Sequence, residues 1–301
     1  MMKRQTGMPI RMSRGDRVFL VINLLMVTTV FIIILYPLLF VLSASVSANV
    51  TVMGGSLIPR KISFIGYKTV FFYSDIWNSY LNSLFYLVSG TMISLTLTIS
   101  CAYPLSRDDF KGKGLVIMLC LFTMYFNGGL IPTFLTIRNY RLLDTVWAVI
   151  LPGAMSTYNM IVMKTYFKTQ LPGELFESAQ LDGCGNLYFL VRIALPLSGP
   201  VIAVIALFSA VMYWNVYFGP MLYLTNRKLY PLSMVLREIL VMNRQDVMNQ
   251  PMGGVEEVTL QERQNVMKYA LIVISSLPVM LVYPFVQKYF VKGIMIGSVK
   301  G

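Results

Sequence analysis

The sequence predicts an all-α integral membrane protein with six transmembrane helices, and three observations carry that prediction. The 301 residues are 56% hydrophobic, with a mean hydropathy of +0.66, and only 13% are charged. A soluble domain has a charged fraction of roughly 25%. Stretches without Asp, Glu, Lys or Arg run 18 to 59, 76 to 106, 114 to 137, 145 to 163, 193 to 226 and 269 to 287. Each suits a hydrocarbon core about 30 Å thick, which a helix rising about 1.5 Å per residue crosses in about 20 residues. The runs are rich in Leu, Ile, Val and Phe, without the alternating segments of about 10 residues that mark barrel strands.

Taken in order, the apolar cores are predicted at 18–43, 79–103, 114–136, 145–167, 197–224 and 267–290. The first is too long for a secretory signal, whose apolar region has about 7 to 15 residues, so it is read as a span and not as a cleaved leader. Residues 1–17 carry Lys3, Arg4, Arg11, Arg14 and Arg17, and the short loop 104–113 carries Arg107, Lys111 and Lys113. This basic bias puts both ends of the chain on the cytoplasmic side of the membrane, with 1–17 as an N-terminal segment and 291–301 as a tail. The outer face then holds 47–78 and the loop 225–266, and the inner face holds 168–196. The stretch 61–77 (KISFIGYKTVFFYSDIW) reads as interfacial, and 231–242 (PLSMVLREILVM) as an amphipathic helix facing a partner.

Composition also excludes chemistry. The chain has no histidine, which rules out His general bases, His metal sites and His-containing catalytic triads. Cys101, Cys120 and Cys184 lie far apart in sequence without ligand spacing and are read as structural. No phosphate-binding G-x-x-x-x-G-K-[ST] occurs. The spans lack the intramembrane carboxylates of an ion-coupled carrier; Lys164 and Lys268 sit near helix ends, where they can snorkel. The net charge of +12 follows the membrane flanks, which suits anionic lipid and not a nucleic acid. No catalytic residue, metal ligand or bound cofactor is therefore expected. A pore with no ion relay and no nucleotide site either is passive or draws energy from another subunit.

The loop 168–196 fits the second role. Pro172 suits the first turn of a helix, Glu174 and Glu177 suit its positive end, and Gly183 and Gly185 can stop it. A short helix over 173–182 and a second from Asn186, interrupted at Pro196, are predicted. Leu175, Phe176, Ala179 and Leu181 would give the first helix apolar surface for a groove on a partner, with Glu177 and Asp182 as charged edges.

Glu177, Ser178 and Ala179, then Gly183, then Ile193, Leu195 and Pro196 keep the spacing E-A-A, three residues, G, nine residues, I-x-L-P. That pattern resembles the signature of ABC importer permeases, with Ser178 in place of the first alanine. SYLNSLFY at 79–86, FNGGLIPTFL at 126–135 and the tail QKYFVKGIMIGSVKG extend the resemblance to the carbohydrate-uptake branch, similar to the permeases of maltose and complex-oligosaccharide importers. It implies the type I importer fold and a permease that forms half of a sugar pathway. It also implies three partners: a second, homologous permease in a heterodimer, two copies of a cytosolic ATPase that holds ATP and Mg, and an extracellular solute-binding protein. The segment 174–196 would couple to the ATPase, and Lys292, Lys300 and glycines 293, 297 and 301 of the tail would reach it. The outer loop 225–266 would approach the binding protein.

Sugars present apolar C–H faces ringed by hydrogen-bonding groups, so aromatic residues beside amides are candidate contacts. The sets are Tyr125 with Asn127, Tyr158 with Asn159, and Tyr213, Trp214, Asn215 and Tyr217. Each also fits a packing role between helices. The competing readings are an importer of another solute, a stand-alone carrier or channel, and a membrane enzyme, for which Asp108 and Asp109 would be the only acidic pair on the inner side.

Overall fold

The computed structural model describes residues 13–49, 54–59, 61–241 and 265–281, with positions 284 and 287. Lys3, Arg4 and Arg11, most of the outer loop beyond 241, the end of the sixth predicted span and the tail residues lie outside the described residues. Among the described residues the chain is helical without a strand; one antiparallel bridge joins Ser47 and Ile62. The described residues fall into two compact units, within 1–69 plus 253–273 and within 70–252 plus 274–301.

In the first unit, α1 (Arg14–Ser45) starts at a capping box in which Ser13 and Asp16 exchange backbone and side-chain hydrogen bonds. No residue of α1 before Ala44 is buried, although it is the more apolar of the two described helices long enough to cross a membrane alone. The loop that follows is pinned by Ala48 N–H to the Lys61 carbonyl (2.9 Å), Ser63 N–H to that of Val46 (2.8 Å), and a Ser45–Tyr67 hydroxyl contact (2.9 Å). Helix α2 (Ile65–Phe72) approaches α14 (Asn265–Leu281) at Gly66, where a Cβ would lie 2.8 Å from Val266. Phe40 meets Tyr269 edge to face at 5.9 Å.

The second unit is organised around α3 (Ser74–Ser106), the longest helix. Its buried positions include Ser79, Ser83, Gly90, Ser94, Thr98 and Ala102, a stripe of small residues at mostly fourfold spacing. Small residues let helix backbones approach closely where lipid supplies no hydrophobic drive. The helices α7 (Thr157–Gln170) and α11 (Gly199–Asn215) pack on this stripe, with Ser94 and Ser209 sharing a buried hydroxyl contact of 3.1 Å. Met160, Met163, Phe167, Phe189 and Ile205 complete the main core. Cys101 of α3 and Cys120 of α4 (Lys113–Tyr125) are within thiol hydrogen-bonding reach, so two cysteines far apart in sequence are neighbours in space.

By length and composition, α1 and α3 could each cross a membrane alone, and three bent helix pairs bring the total to five. The predicted third, fourth and fifth cores are thus not straight rods. The third divides into α4 and α5 (Leu130–Asn139), bent by 114°. There Asn127 Oδ1 accepts the Gly129 N–H at 2.9 Å and Gly129 takes a φ of +88°, a backbone that glycine adopts without strain. The fourth divides into α6 (Val146–Ile150), running on through a 3₁₀ turn to Gly153, and α7, bent by 50° at a Ser156 cap. The fifth predicted core, 197–224, overshoots: α11 stops at Asn215, and a separate α12 (Phe218–Tyr223) follows.

Pro196 is not the interruption that the sequence suggested. Helix α9 (Asn186–Phe189) widens into a π turn, Leu190–Ala194, in which the Leu195 N–H reaches back five residues to the Leu190 carbonyl. The wide turn accommodates the proline ring, and α10 (Leu195–Leu197) continues the helix. The chain bends by 82° only afterwards, before α11, where Gly199 and Pro200 follow Ser198.

Candidate functional site

Helix α8 (Gly173–Leu181) forms where the Pro-to-Gly bracket placed it, one residue shorter than expected at its C-terminus, with Asp182 as its cap. Gly183 follows with a φ of +79°. Its N–H donates to the Gln180 carbonyl (2.9 Å) and the Cys184 N–H to that of Ala179 (2.9 Å), the paired bonds of a left-handed helix stop. A Cβ on Gly183 would meet nothing within 4 Å. The requirement for glycine is therefore one of backbone conformation and not of space.

The apolar residues of the loop do not all face outward as expected. Phe176 and Ala179 share a face three residues apart and are buried in the chain's own core. Phe176 meets Phe189 edge to face at 5.0 Å. Leu181 is 90% exposed, and with Leu187 (74%) and Tyr188 (61%) it flanks the Gly183 turn. The outward apolar surface is thus the tip of the loop. Glu177, Ser178 and Asp182 are exposed, Ile193 and Leu195 are half-buried, and Pro196 is exposed. The motif residues lie on one continuous helix, turn, helix unit.

The sequence reading missed what holds this unit. The Arg107 guanidinium carbon lies 3.3 Å from the centroid of the Phe176 ring, and its Nε lies 3.4 Å from Asp109 Oδ1. Such a stack contributes about 0.5 to 2 kcal/mol, depending on how dry it is. Lys113 Nζ bonds Asp108 at 2.7 Å and also the Arg107 carbonyl at 3.2 Å, while Lys168 lies 3.8 Å from Asp108. The hydrogen bond from Lys113 and the nearby lysine charges hold the Asp108 carboxyl below the usual carboxylate range. A cation ending one apolar segment and a Phe three residues before Ala179 were the available signals, but sequence alone does not pair them.

The candidate sugar contacts separate into two groups. Tyr213 is buried and its hydroxyl donates to the Ile150 carbonyl at 2.8 Å. Trp214 is buried, meets Tyr80 edge to face at 5.7 Å and donates Nε1–H to the Ser275 carbonyl at 3.0 Å. The polar groups of both are engaged within the chain. Asn215 is exposed yet donates to the Val211 carbonyl at 2.8 Å, and Asn159 is buried. Tyr125, Asn127, Tyr158 and Tyr217 are exposed, with the Arg237 guanidinium 5.4 Å from the Tyr217 ring.

The described start of the loop 225–266 is held from two sides. The Asn82 amide donates to the carbonyls of Lys228 (2.7 Å) and Tyr230 (3.1 Å), Tyr86 OH donates to that of Leu229 (2.8 Å), and Ser83 Oγ accepts the Leu232 N–H (2.8 Å). These anchors lie within SYLNSLFY, which sequence reading used only as a mark of resemblance. Asp144, at a φ of +56°, accepts from the Thr225 hydroxyl and from the backbone N–H groups of Thr225 and Asn226. Those bonds, the Thr225 hydroxyl first, hold the Asp144 carboxyl below its ordinary range. Helix α13 (Leu232–Val241) follows, burying Leu232, Met234 and Val235.

The chain is 41% identical to the protein LplC of Bacillus subtilis over 291 residues, covering 96% of this chain and 97% of that one. It is also 41% identical to the polygalacturonan/rhamnogalacturonan transport system permease protein YtcP of the same species, covering 90% of this chain and 94% of the other. Among solved structures, it is similar to a chain of a bacterial ABC transporter involved in the import of the acidic polysaccharide alginate. That match has a TM-score of 0.84 and 33% identity, covering 94% of this chain and 100% of that chain. No protein-family model matches.

Proposed function

This chain belongs to the permease family of carbohydrate ABC importers, and from that premise we propose how it works within one. It is a non-catalytic transport subunit for a sugar or oligosaccharide, served by an ATPase and a solute-binding protein. We propose that it pairs with a second, homologous permease in a heterodimer and that two ATPase copies bind beneath them. ATP and Mg are held by the ATPase and not by this chain. Its six spans leave both ends in the cytoplasm, so the loop 168–196 faces the ATPase and 225–266 faces the binding protein.

The observation that carries this reading is the Gly183 turn. An α helix stopped by a left-handed glycine presents Leu181, Leu187 and Tyr188 to solvent, at the motif whose spacing the family uses for coupling. The exposed tip suits a groove on a partner. Glu177, Ser178 and Asp182 supply polar contacts around it, while Ala179, Ile193, Leu195 and Pro196 shape the unit. ATP-driven closure of the ATPase shifts the permeases between outward-open and inward-open states, and the loaded binding protein acts by preferring one of them. Tyr125, Asn127, Tyr158 and Tyr217 are the sugar-facing candidates with free surface.

The cargo proposed first is an oligosaccharide of the acidic, uronate-rich kind, because YtcP and the alginate transporter both serve such polymers. Gentle detergent purification of the chain from its own membranes, with mass spectrometry of what stays bound, tests the assembly. One related permease and a P-loop ATPase are expected. The accompanying binding protein is then screened by calorimetry against acidic and neutral oligosaccharides. Repeated isolation of the chain alone, with the loop intact, would count against the assembly, and binding of neutral sugars only would count against the cargo.

A further inference from the structure

Helix α8 buries Phe176 and Ala179 in the chain's core, with Leu175 packed against it. The face bearing Glu177 and Gln180 looks onto a cavity of about 320 Å³, also lined by Ser106, Lys168 and Gly173. Phe176 lies on the same side and also lines that cavity; its ring packs in the cluster of Tyr103, Phe167 and Phe189 and carries the Arg107 guanidinium 3.3 Å from its centroid. Arg107 is the first residue past α3, and its own N–H closes the last turn of that helix on the Pro104 carbonyl at 3.1 Å. Its head group is therefore referenced directly to the end of α3. The next residue, Asp108, bonds Lys113 at the start of α4 and pairs with Lys168 near the end of α7. Three spans and the loop helix thus meet at two consecutive residues.

We propose that Arg107 is a positioning residue of the coupling path. Its stack on Phe176 makes α8 and the end of α3 move as one body, so that a push on the loop reaches the helix at the centre of the packed spans. This rests on the docking of loop 168–196 to an ATPase. A planar guanidinium stacks on a ring face, which a lysine ammonium does less well. Leucine at 176 keeps apolar volume and removes the face, whereas tyrosine keeps the face.

The test uses the assembled transporter in liposomes and measures ATP hydrolysed per sugar imported, together with cross-linking of Ser178→Cys to the ATPase by a thiol-to-amine reagent. Arg107→Gln and Phe176→Leu should each raise the ATP-to-sugar ratio about fivefold or more. The double variant should go no further, because both changes cut the same link. Arg107→Lys should fall between, Phe176→Tyr should match wild type, and cross-linking through the introduced thiol should keep the same yield in all of them as in Ser178→Cys alone. A wild-type ratio in Arg107→Gln overturns the proposal, as does an equal loss of hydrolysis and transport, the mark of a merely structural residue. Should Phe176→Leu fail to assemble, Arg107→Gln and Phe176→Tyr still decide the matter. Failure of Ser178→Cys to cross-link in the otherwise unchanged chain overturns the docking reading, and this inference with it.

Discussion

The ring of Tyr213 occupies the space beside Gly90 that any side chain there would need: a Cβ on Gly90 would lie 2.6 Å from two ring atoms. Tyr213 cannot swing aside freely, since its hydroxyl is bonded to the Ile150 carbonyl. Gly90→Ala should therefore force α3 and α11 apart and cost about 1 to 3 kcal/mol. Thermal unfolding in detergent reads the loss, and adding Tyr213→Leu should recover part of it. A wild-type melting temperature for Gly90→Ala would show that the helices do not cross there.

The Gly183 position has open space but a left-handed backbone. Gly183→Leu should place about 1 to 2 kcal/mol of strain on the turn and abolish most sugar uptake, with normal amounts of chain in the membrane. Gly183→Asn, which tolerates that backbone better, should retain more. Uptake assays paired with membrane immunoblots decide this, and normal uptake by the leucine variant would remove the turn from the coupling path.

The Asn82 amide holds two carbonyls of the outer loop. Asn82→Leu leaves them without that donor and should loosen the segment 227–232 by about 1 to 2 kcal/mol. Trypsin cutting after Arg227 and Lys228 in the purified chain should quicken several-fold. An unchanged cutting rate would mean that Tyr86 and Ser83 suffice.

Asp144 adds a pH-dependent hold on the same loop. Its folded pKa is lowered, so its contribution is fully present above the unfolded carboxylate value, near 3.9, and is lost as pH falls through the lowered folded value. Loop protection should thus be flat from pH 5 to 8. Asp144→Asn should behave across that range as the acidified wild type does. Hydrogen exchange at Thr225 and Asn226 follows it, and a protection change between pH 5 and 8 in the wild type would assign the hold to another group.

Trp214 separates packing from transport. Trp214→Phe loses the bond to the Ser275 carbonyl and should destabilise the chain by about 1 kcal/mol or more while leaving the KM for sugar uptake within about twofold. Tyr217→Ala, at an exposed ring, should do the reverse if that ring faces the sugar. A KM effect from Trp214→Phe without loss of stability would return Trp214 to the pathway.

How far the sequence could be read depended on what each signal measures. The Pro172-to-Gly183 bracket encodes local backbone preference, and α8 appeared nearly as drawn. Charge-free length fixes where a chain can be apolar but says nothing of direction. The turns at Phe126–Gly129 and Ser198–Pro200 therefore stayed hidden inside the predicted spans, although the glycines were visible. Pro196 misled because a proline breaks a helix only when the turn behind it cannot widen, and here a π turn does widen. The stacking of Arg107 on Phe176, the contact of Cys101 with Cys120 and the engaged polar groups of Tyr213 and Trp214 are tertiary facts. No spacing along one strand of sequence encodes them.

Within the proposed heterodimer, the corner at Phe126–Gly129 would leave the single chain an unfinished object. Helix α4, with 13 residues, reaches only about 20 Å before the chain turns, short of a hydrocarbon layer about 30 Å thick. Non-helical peptide groups at that depth are tolerated against protein or water but not against acyl chains. In the proposed assembly a neighbouring subunit would supply the surroundings of Asn127 and Gly128, and the free energy of this corner would then vary with the concentration of assembled complex. Stability measured on the isolated chain and stability in the working transporter are two different quantities.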